Sequence, residues 1–274
     1  MKISLKACAF GSAFALLLPL AAQAHKPWME PSKTVLSVGQ WVTVDVAAAT
    51  VPFIKDHVGI PLDNLVITAP DGSTVPPENA AKGKLRSSFD LQLNQAGTYR
   101  IANNNTNISA SWTEDGKPKR WPPRFVQYTP EAFAKEVPAK AKDLKVTQVI
   151  SRLETYVTAG KPSEGALKLS GKGLELAPAS PVNDLYAGEE ATLLFVIDGK
   201  PAADVEFELI ADGSRYRDAI GETMLKTDKN GALKITWPTA GLYYLSAAVT
   251  DDKGEKPAKQ RRSSYAGIFE VLAP

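Results

Sequence analysis

From residue 25 onward, apolar and polar positions alternate over short runs broken by Gly, Pro, Asn and Asp. "TVLSVGQWVTVDVAA" (34–48) reads as two alternating runs around a Gly39-Gln40 turn. "NLVITAPDGSTV" (64–75) is a strand entering a Pro-Asp-Gly turn. "SSFDLQLNQAGTYRIANN" (87–104) alternates through Phe89, Leu91 and Leu93, turns at Ala96-Gly97 and resumes with Tyr99 and Ile101. "ISASW" (108–112) and "LKVTQVISRLETYVT" (144–158) complete the first half. A period of two over runs of this length is the signature of half-buried strands. One segment breaks the rule: "TPEAFAKEV" (129–137) predicts two helical turns, with Thr129 as N-cap and Pro130 at the first position.

The second half repeats the pattern. "GEEATLLFVIDGKPAADVEFELIADG" (188–213) predicts two strands joined at Asp198-Gly199. "TMLKTDKNGALKITW" (223–237) predicts a hairpin around Asn230-Gly231. "AGTYRI" at 96–101 has a counterpart in "AGLYYL" at 240–245, as an internal duplication would leave. The expected fold class is therefore all-β: two tandem immunoglobulin-like β-sandwich domains, residues 25–160 and 163–274. The boundary is expected near "TAGKPSEG" (158–165).

The first 24 residues belong to neither domain. Lys2 and Lys6 precede an apolar run from Ala7 to about Leu20, and Ala22-Gln23-Ala24 supplies a small-x-small cut site. This predicts a signal peptide, residues 1–24, cleaved after Ala24, and hence a periplasmic protein. The run is shorter than the ~20 residues a membrane-spanning helix needs. Cleavage removes Cys8, the only cysteine, and leaves 30 basic against 30 acidic residues. Disulfides and thiolate metal sites are then excluded, and neutrality gives no case for nucleic acid. No later stretch is long and apolar enough to be a transmembrane segment.

The cut also makes His25 the first residue. The chain has two histidines, and strand directions bring them together. If each turn reverses the chain, the loop at 49–63 lies at the same end as the start of the first strand. That loop carries His57 in "FIKDHVGIP"; "KPKRWPPRF" (117–125) returns to the same pole. A free N-terminal histidine offers its α-amine and ring Nδ1 to one metal as a chelate, and His57 would supply a third nitrogen. Such a histidine brace suits Cu(II), Ni(II) or Zn(II), with copper favoured by intrinsic affinity. Pro27 has no N–H, which excludes the other common N-terminal chelate, built on backbone amides and a third-position histidine. Met29 and Glu30 are further candidate ligands, one soft and one hard; packing of Met29 and solvation of Glu30 are the competing readings. Asp56 is placed to orient His57. Trp28 and Trp121 read either as walls of a site or as core aromatics.

"GSRYRD" (213–218) and "KPAKQRRSSY" (256–265) place arginines in two loops of the second half, expected at opposite poles and in solvent. There is no G-x-S-x-G elbow, P-loop or dinucleotide glycine fingerprint.

The opening "HKPWMEPS" and the segments "GKGLELAPASPVNDLYAGEEATLLFVIDGKPAADVEFE" and "TDKNGALKITWPTAGLYYL" resemble periplasmic proteins classed as domain of unknown function 4198. The resemblance spans nearly the whole chain after residue 24. It implies an immunoglobulin-like fold and association with nickel, cobalt or other metal uptake, with an outer- or inner-membrane metal transporter as partner. The family's N-terminal histidine maps onto His25, and its loop histidine onto His57, although many relatives have Gly-His where this chain has Asp56-His57. The expected function is a periplasmic carrier or accessory for a divalent transition metal (copper, nickel or cobalt) rather than an enzyme. The alternatives are an envelope interaction module for a protein or glycan and, remotely, a histidine-brace copper oxidase.

Overall fold

A computed structural model describes residues 25–274; the expected signal segment lies outside the described residues. The chain is mostly β. The first half contains β1 (Lys26–Pro31), β2 (Val35–Leu36), β3 (Trp41–Ala49), β4 (Val58–Gly59), β5 (Leu65–Thr68), β6 (Thr74–Val75), β7 (Glu78–Lys82), β8 (Ser87–Gln92), β9 (Gly97–Glu114), β10 (Lys117–Trp121), helix α1 (Pro130–Glu136) and β11 (Lys142–Ala159). The second contains β12 (Leu174–Leu176), β13 (Glu190–Ile197), β14 (Lys200–Pro201), β15 (Glu206–Ala211), β16 (Thr223–Lys226), β17 (Ala232–Thr236), β18 (Gly241–Asp251) and β19 (Gln260–Val271). Helix α1 starts as its sequence predicts: the Thr129 side chain accepts from the Ala132 amide, and proline occupies the first turn. Among the described residues no helix is long and apolar enough to cross a membrane.

One sheet runs through both halves. Its ten strands follow the order β16-β15-β18-β19-β11-β9-β5-β6, with β10 beside β9 and β2 beside β11. The join is a parallel pairing of β11 with β19, Thr147 opposite Gln260 through Thr155 opposite Ile268. Two smaller sheets cover opposite faces of this long one. The five-stranded sheet β1-β3-β8-β7, with β4 beside β3, packs on one face. Its Trp28, Val44 and Phe89 meet Ile101, Leu153 and Val157. The four-stranded sheet β12-β13-β14, with β17 beside β13, covers the other face. There Phe195, Leu233 and Trp237 meet Tyr156, Phe207 and Phe269. Residues 153 and 157 thus serve one core and residue 156 the other, as strand alternation requires. Each large apolar side chain fully buried in these layers contributes roughly 1.5–3 kcal/mol.

One expected hairpin is instead a corner. The Asn230-Gly231 turn forms, but β16 joins the long sheet and β17 the four-stranded one. The reason is docking: the Gly231 carbonyl accepts from the Phe195 amide, and a Cβ at Gly231 would collide with the Phe195 carbonyl. The turn is packed onto β13, which leaves its flanking strands on different layers. Likewise β2 pairs in parallel with β11 rather than folding onto β3 across Gly39-Gln40. Asp198-Gly199 does close a hairpin, between β13 and β14. Both residues have positive φ, 53° and 73°, as a tight two-residue loop demands.

The two arginine loops fare differently. Arg217 lies near the start of β18 and binds the carbonyls of Ala211, Asp212 and Ile220. Arg261 corrects the expectation of a solvated loop: it sits buried on β19. Its guanidinium grips Asp198 with two bonds of 2.8 and 2.7 Å and also binds Asp251. That hydrogen bonding, aided by the Gly173 amide and opposed by partial burial, brings the Asp198 carboxyl down to about 2. A depressed carboxylate stabilises the fold above its unfolded value near ~3.9, and the contribution disappears as pH falls through about 2. Allowing for the partial exposure of Asp198, the amount is about 1–2 kcal/mol. Urea unfolding at pH 5 and at pH 2.5 should therefore show a larger acid loss for the native chain than for Asp198→Asn. Equal losses would mean that Asp198 titrates normally.

Candidate functional site

The two histidines meet. Their rings stack with centroids 3.5 Å apart and planes 13° from parallel. The strand that brings His25 there is not the one near residue 35 but β1, whose "KPWMEP" pairs antiparallel with β3. Lys26 stands opposite Ala49, so His25 lies beside the point where β3 ends and the loop to His57 begins.

A third residue completes the cluster. Nη1 of Arg124 bonds to Nε2 of His57, and Nη2 lies 3.4 Å from Nδ1 of His25. A guanidinium only donates, so both ring nitrogens must be acceptors. Partial desolvation, His25 and Arg124 together hold His57 below the usual imidazole range, against the smaller opposing pull of Asp56. Two lone pairs thus converge on one cation. Sequence reasoning missed Arg124, although "WPPRF" was already assigned to the histidine pole.

The remaining candidates have other partners. Met29 is fully buried in the core, opposite Val46. The carboxylate of Glu30 is bound to Lys55 at 3.4 Å, and burial raises its pKa despite that lysine. The Asp56 carboxylate accepts a 3.4 Å bond from the Thr50 amide. Trp28 is a core residue, and Trp121 packs with Tyr128 and Phe133 while bonding Glu136 at 3.0 Å. Among the described residues no three His, Cys, Asp or Glu side chains group to hold a metal ion. Side chains alone therefore offer two donors, and a third must come from the main chain or from solvent.

Next to Arg124, Phe125 has φ 64°. A bulky side chain in that left-handed region costs on the order of 1–3 kcal/mol. Its ring is half exposed, with Lys82 Nζ 5.7 Å and the Arg124 guanidinium 6.0 Å from its centre. Phe125 and His25 stand on the rim of a cleft of about 900 Å³ that spans both halves of the chain.

Residues 22–251 match the sequence profile described as "Domain of unknown function (DUF4198)". The chain belongs to that family. No curated protein matches the chain. Among solved structures, this DUF4198 chain is similar at 8% identity and TM-score 0.25 to a DUF4785 family protein from Legionella pneumophila. That alignment covers 80% of this chain and 50% of the other, so the chain spans about half the length of the Legionella protein. A two-domain fibronectin type-III segment of chicken tenascin aligns at 12% identity and TM-score 0.22, covering 89% and 99% of the two chains. Three N-terminal domains of the bacteriophage RB49 outer capsid protein Hoc align at 10% identity and TM-score 0.22, covering 91% and 100%. Likenesses at these TM-scores carry no functional argument.

Proposed function

We propose that this DUF4198 protein binds a divalent transition metal, copper, nickel or cobalt, through His25 and His57, as a periplasmic carrier or accessory to a membrane metal transporter. In this reading the signal segment is removed after Ala24, and two tandem immunoglobulin-like sandwiches carry the site. The supporting observation is the convergence of His25 Nδ1 and His57 Nε2 on a single cation, the Arg124 guanidinium. Nδ1 is the nitrogen that an N-terminal histidine chelate uses, and the lowered pKa of His57 favours the neutral ring that ligation requires.

The donor types fit a borderline metal. The ring orientation requires one change. A metal lies in the plane of each imidazole that binds it, and two nearly parallel planes 3.5 Å apart share no such point. At least one ring must rotate, and Arg124 must withdraw. Arg124 is therefore a resident competitor: it satisfies the lone pairs without metal and opposes a second positive charge.

Titration with Cu(II), Ni(II), Co(II) and Zn(II) tests the reading. His57→Ala is expected to weaken the tightest of these metals about a hundredfold, because one arm of the chelate is lost. Arg124→Gln is expected to tighten it about tenfold, the worth of a displaced charged hydrogen bond. Indifference of every metal to both changes would sink the proposal.

A further inference from the structure

The cleft beside the histidines has a different chemistry and does not depend on metal. It arises because the five-stranded sheet, ending at β1, leaves part of the long sheet's face uncovered. Strand register shows what that face presents. Asn105, Ser151 and Ser264 stand opposite one another on β9, β11 and β19, and Ser264 faces Ala248 on β18. In the next row Ser246 of β18 faces Glu208 of β15. All of these line the cleft. From β9 to β15 the floor crosses four strand spacings, roughly 19 Å at about 4.8 Å each.

We infer that this cleft binds a neutral oligosaccharide. The floor sets small hydroxyl and amide side chains among apolar ones such as Leu153, Tyr244 and Ala266, and two of its hydroxyls make only long contacts among the described residues. Ser151 reaches the Asn105 carbonyl at 3.4 Å, and Ser246 reaches Glu208 at 3.5 Å and lies against the Tyr244 hydroxyl. Such a floor favours a ligand that brings many donors and acceptors; an apolar ligand would strip these groups of water without replacement. Charge argues against a polyanion. The rim cation Lys26 is already held by Glu208 at 2.5 Å and Glu222 at 3.3 Å, and the lining carries one exposed carboxylate, Glu206, as well as the exposed Arg262. A peptide strand would need backbone partners at a sheet edge; the floor is a sheet face whose main-chain groups are spent in the ladder, and the edge strand that borders it, β1, carries Pro27 and Pro31, which have no N–H to give. The volume of about 900 Å³ falls within the range of small-ligand sites. Phe125 supplies the remaining element of sugar recognition, a half-exposed aromatic face held at the mouth. Its left-handed backbone is maintained against its own preference, which core packing of an exposed ring does not explain.

The experiment is calorimetric titration of the protein in metal-free buffer with cellotriose, maltotriose and triacetylchitotriose. At least one is expected to bind with a Kd of about 1 mM or below. Phe125→Gly is expected to weaken that binding about tenfold while raising the melting temperature, since glycine relieves the left-handed strain. A residue kept for stability alone would show the opposite thermal shift. Ser264→Trp, which fills the floor, is expected to abolish binding with the fold intact by circular dichroism. Failure of all three sugars at about 10 mM, or binding indifferent to both substitutions, overturns the inference. So does tight binding of trialanine in their place, which would make the cleft a peptide site. Because the buffer holds no metal, none of these outcomes bears on the histidine site.

Discussion

Replacing Arg152 with alanine is expected to cost the fold about 3–5 kcal/mol, the usual penalty for stranding a buried charge. Arg152 lies on β11, and its side chain is 8% exposed. It bridges Glu154 at 3.2 Å and Glu175 at 3.0 Å, carboxylates 3% and 2% exposed. Its Nη2 also donates to Ser170 at 2.9 Å. One guanidinium thus serves two buried carboxylates, and its loss leaves both without a counter-ion. Neither acid is free to turn to solvent. Glu154 accepts a 2.6 Å bond from the Tyr156 hydroxyl, and Glu175 accepts 2.8 Å bonds from the Ser170 and Gly171 amides. The network ties the seam strand to the loop that opens the second half, so the damage should spread beyond one side chain. Denaturant unfolding of Arg152→Ala measures it. A loss below about 1 kcal/mol would mean that the carboxylates acquire protons or water at little cost. Arg152→Lys keeps the charge but not the planar fork, and should fall between the two.

The same residue shows what could be read in advance. "LKVTQVISRLETYVT" alternates clearly enough to be recognised as a strand, and α1 announces its start through Thr129-Pro130. What alternation does not reveal is that both faces of β11 are buried, with Leu153 in one core and Tyr156 in the other. Pairing partners were equally hidden. Turn residues such as Asn230-Gly231 fix local φ and ψ, but the sheet that the next strand joins is decided by packing against distant residues such as Phe195. Strand β1 escaped because Pro27 and Pro31 disguise it, though its lone partner β3 makes it an edge, where proline is tolerated. Arg261 was hidden for a like reason: residues 260–264 are all polar, so the alternation of burial along β19, with 261 and 263 buried and 262 exposed, leaves no trace in residue type. The meeting of His25 and His57 was expected from a count of strand directions that began at the wrong strand: β1, not the strand near residue 35, runs antiparallel to β3 and delivers His25. Arg124 was not expected, because nothing in a Pro-Pro-Arg loop tells where a long flexible side chain ends.

Adding a single residue ahead of His25 is expected to weaken metal binding by about 10²–10⁴-fold relative to a chain that begins there. The magnitude is that of converting an intramolecular second contact into none. In a chain beginning at His25, the α-amine and Nδ1 belong to one residue, so a metal held by the ring gains the amine at little further entropic cost. A preceding residue turns that amine into an amide, whose lone pair is delocalised into the carbonyl and is a poor donor at neutral pH. Pro27 closes the route by which other N-terminal chelates recover, since it has no amide proton to lose. The comparison isolates the amine, because an added residue leaves the His25–His57 stack and its contact with Arg124 in place. Both chains should therefore unfold at the same temperature without metal, and only the shorter should gain stability when metal is added, in proportion to its affinity. Equal gains in the two would leave the imidazoles as the whole site and remove the chelate. No gain in either would leave the stacked pair and its guanidinium as a structural clasp between the start of β1 and the loops of residues 50–57 and 122–127.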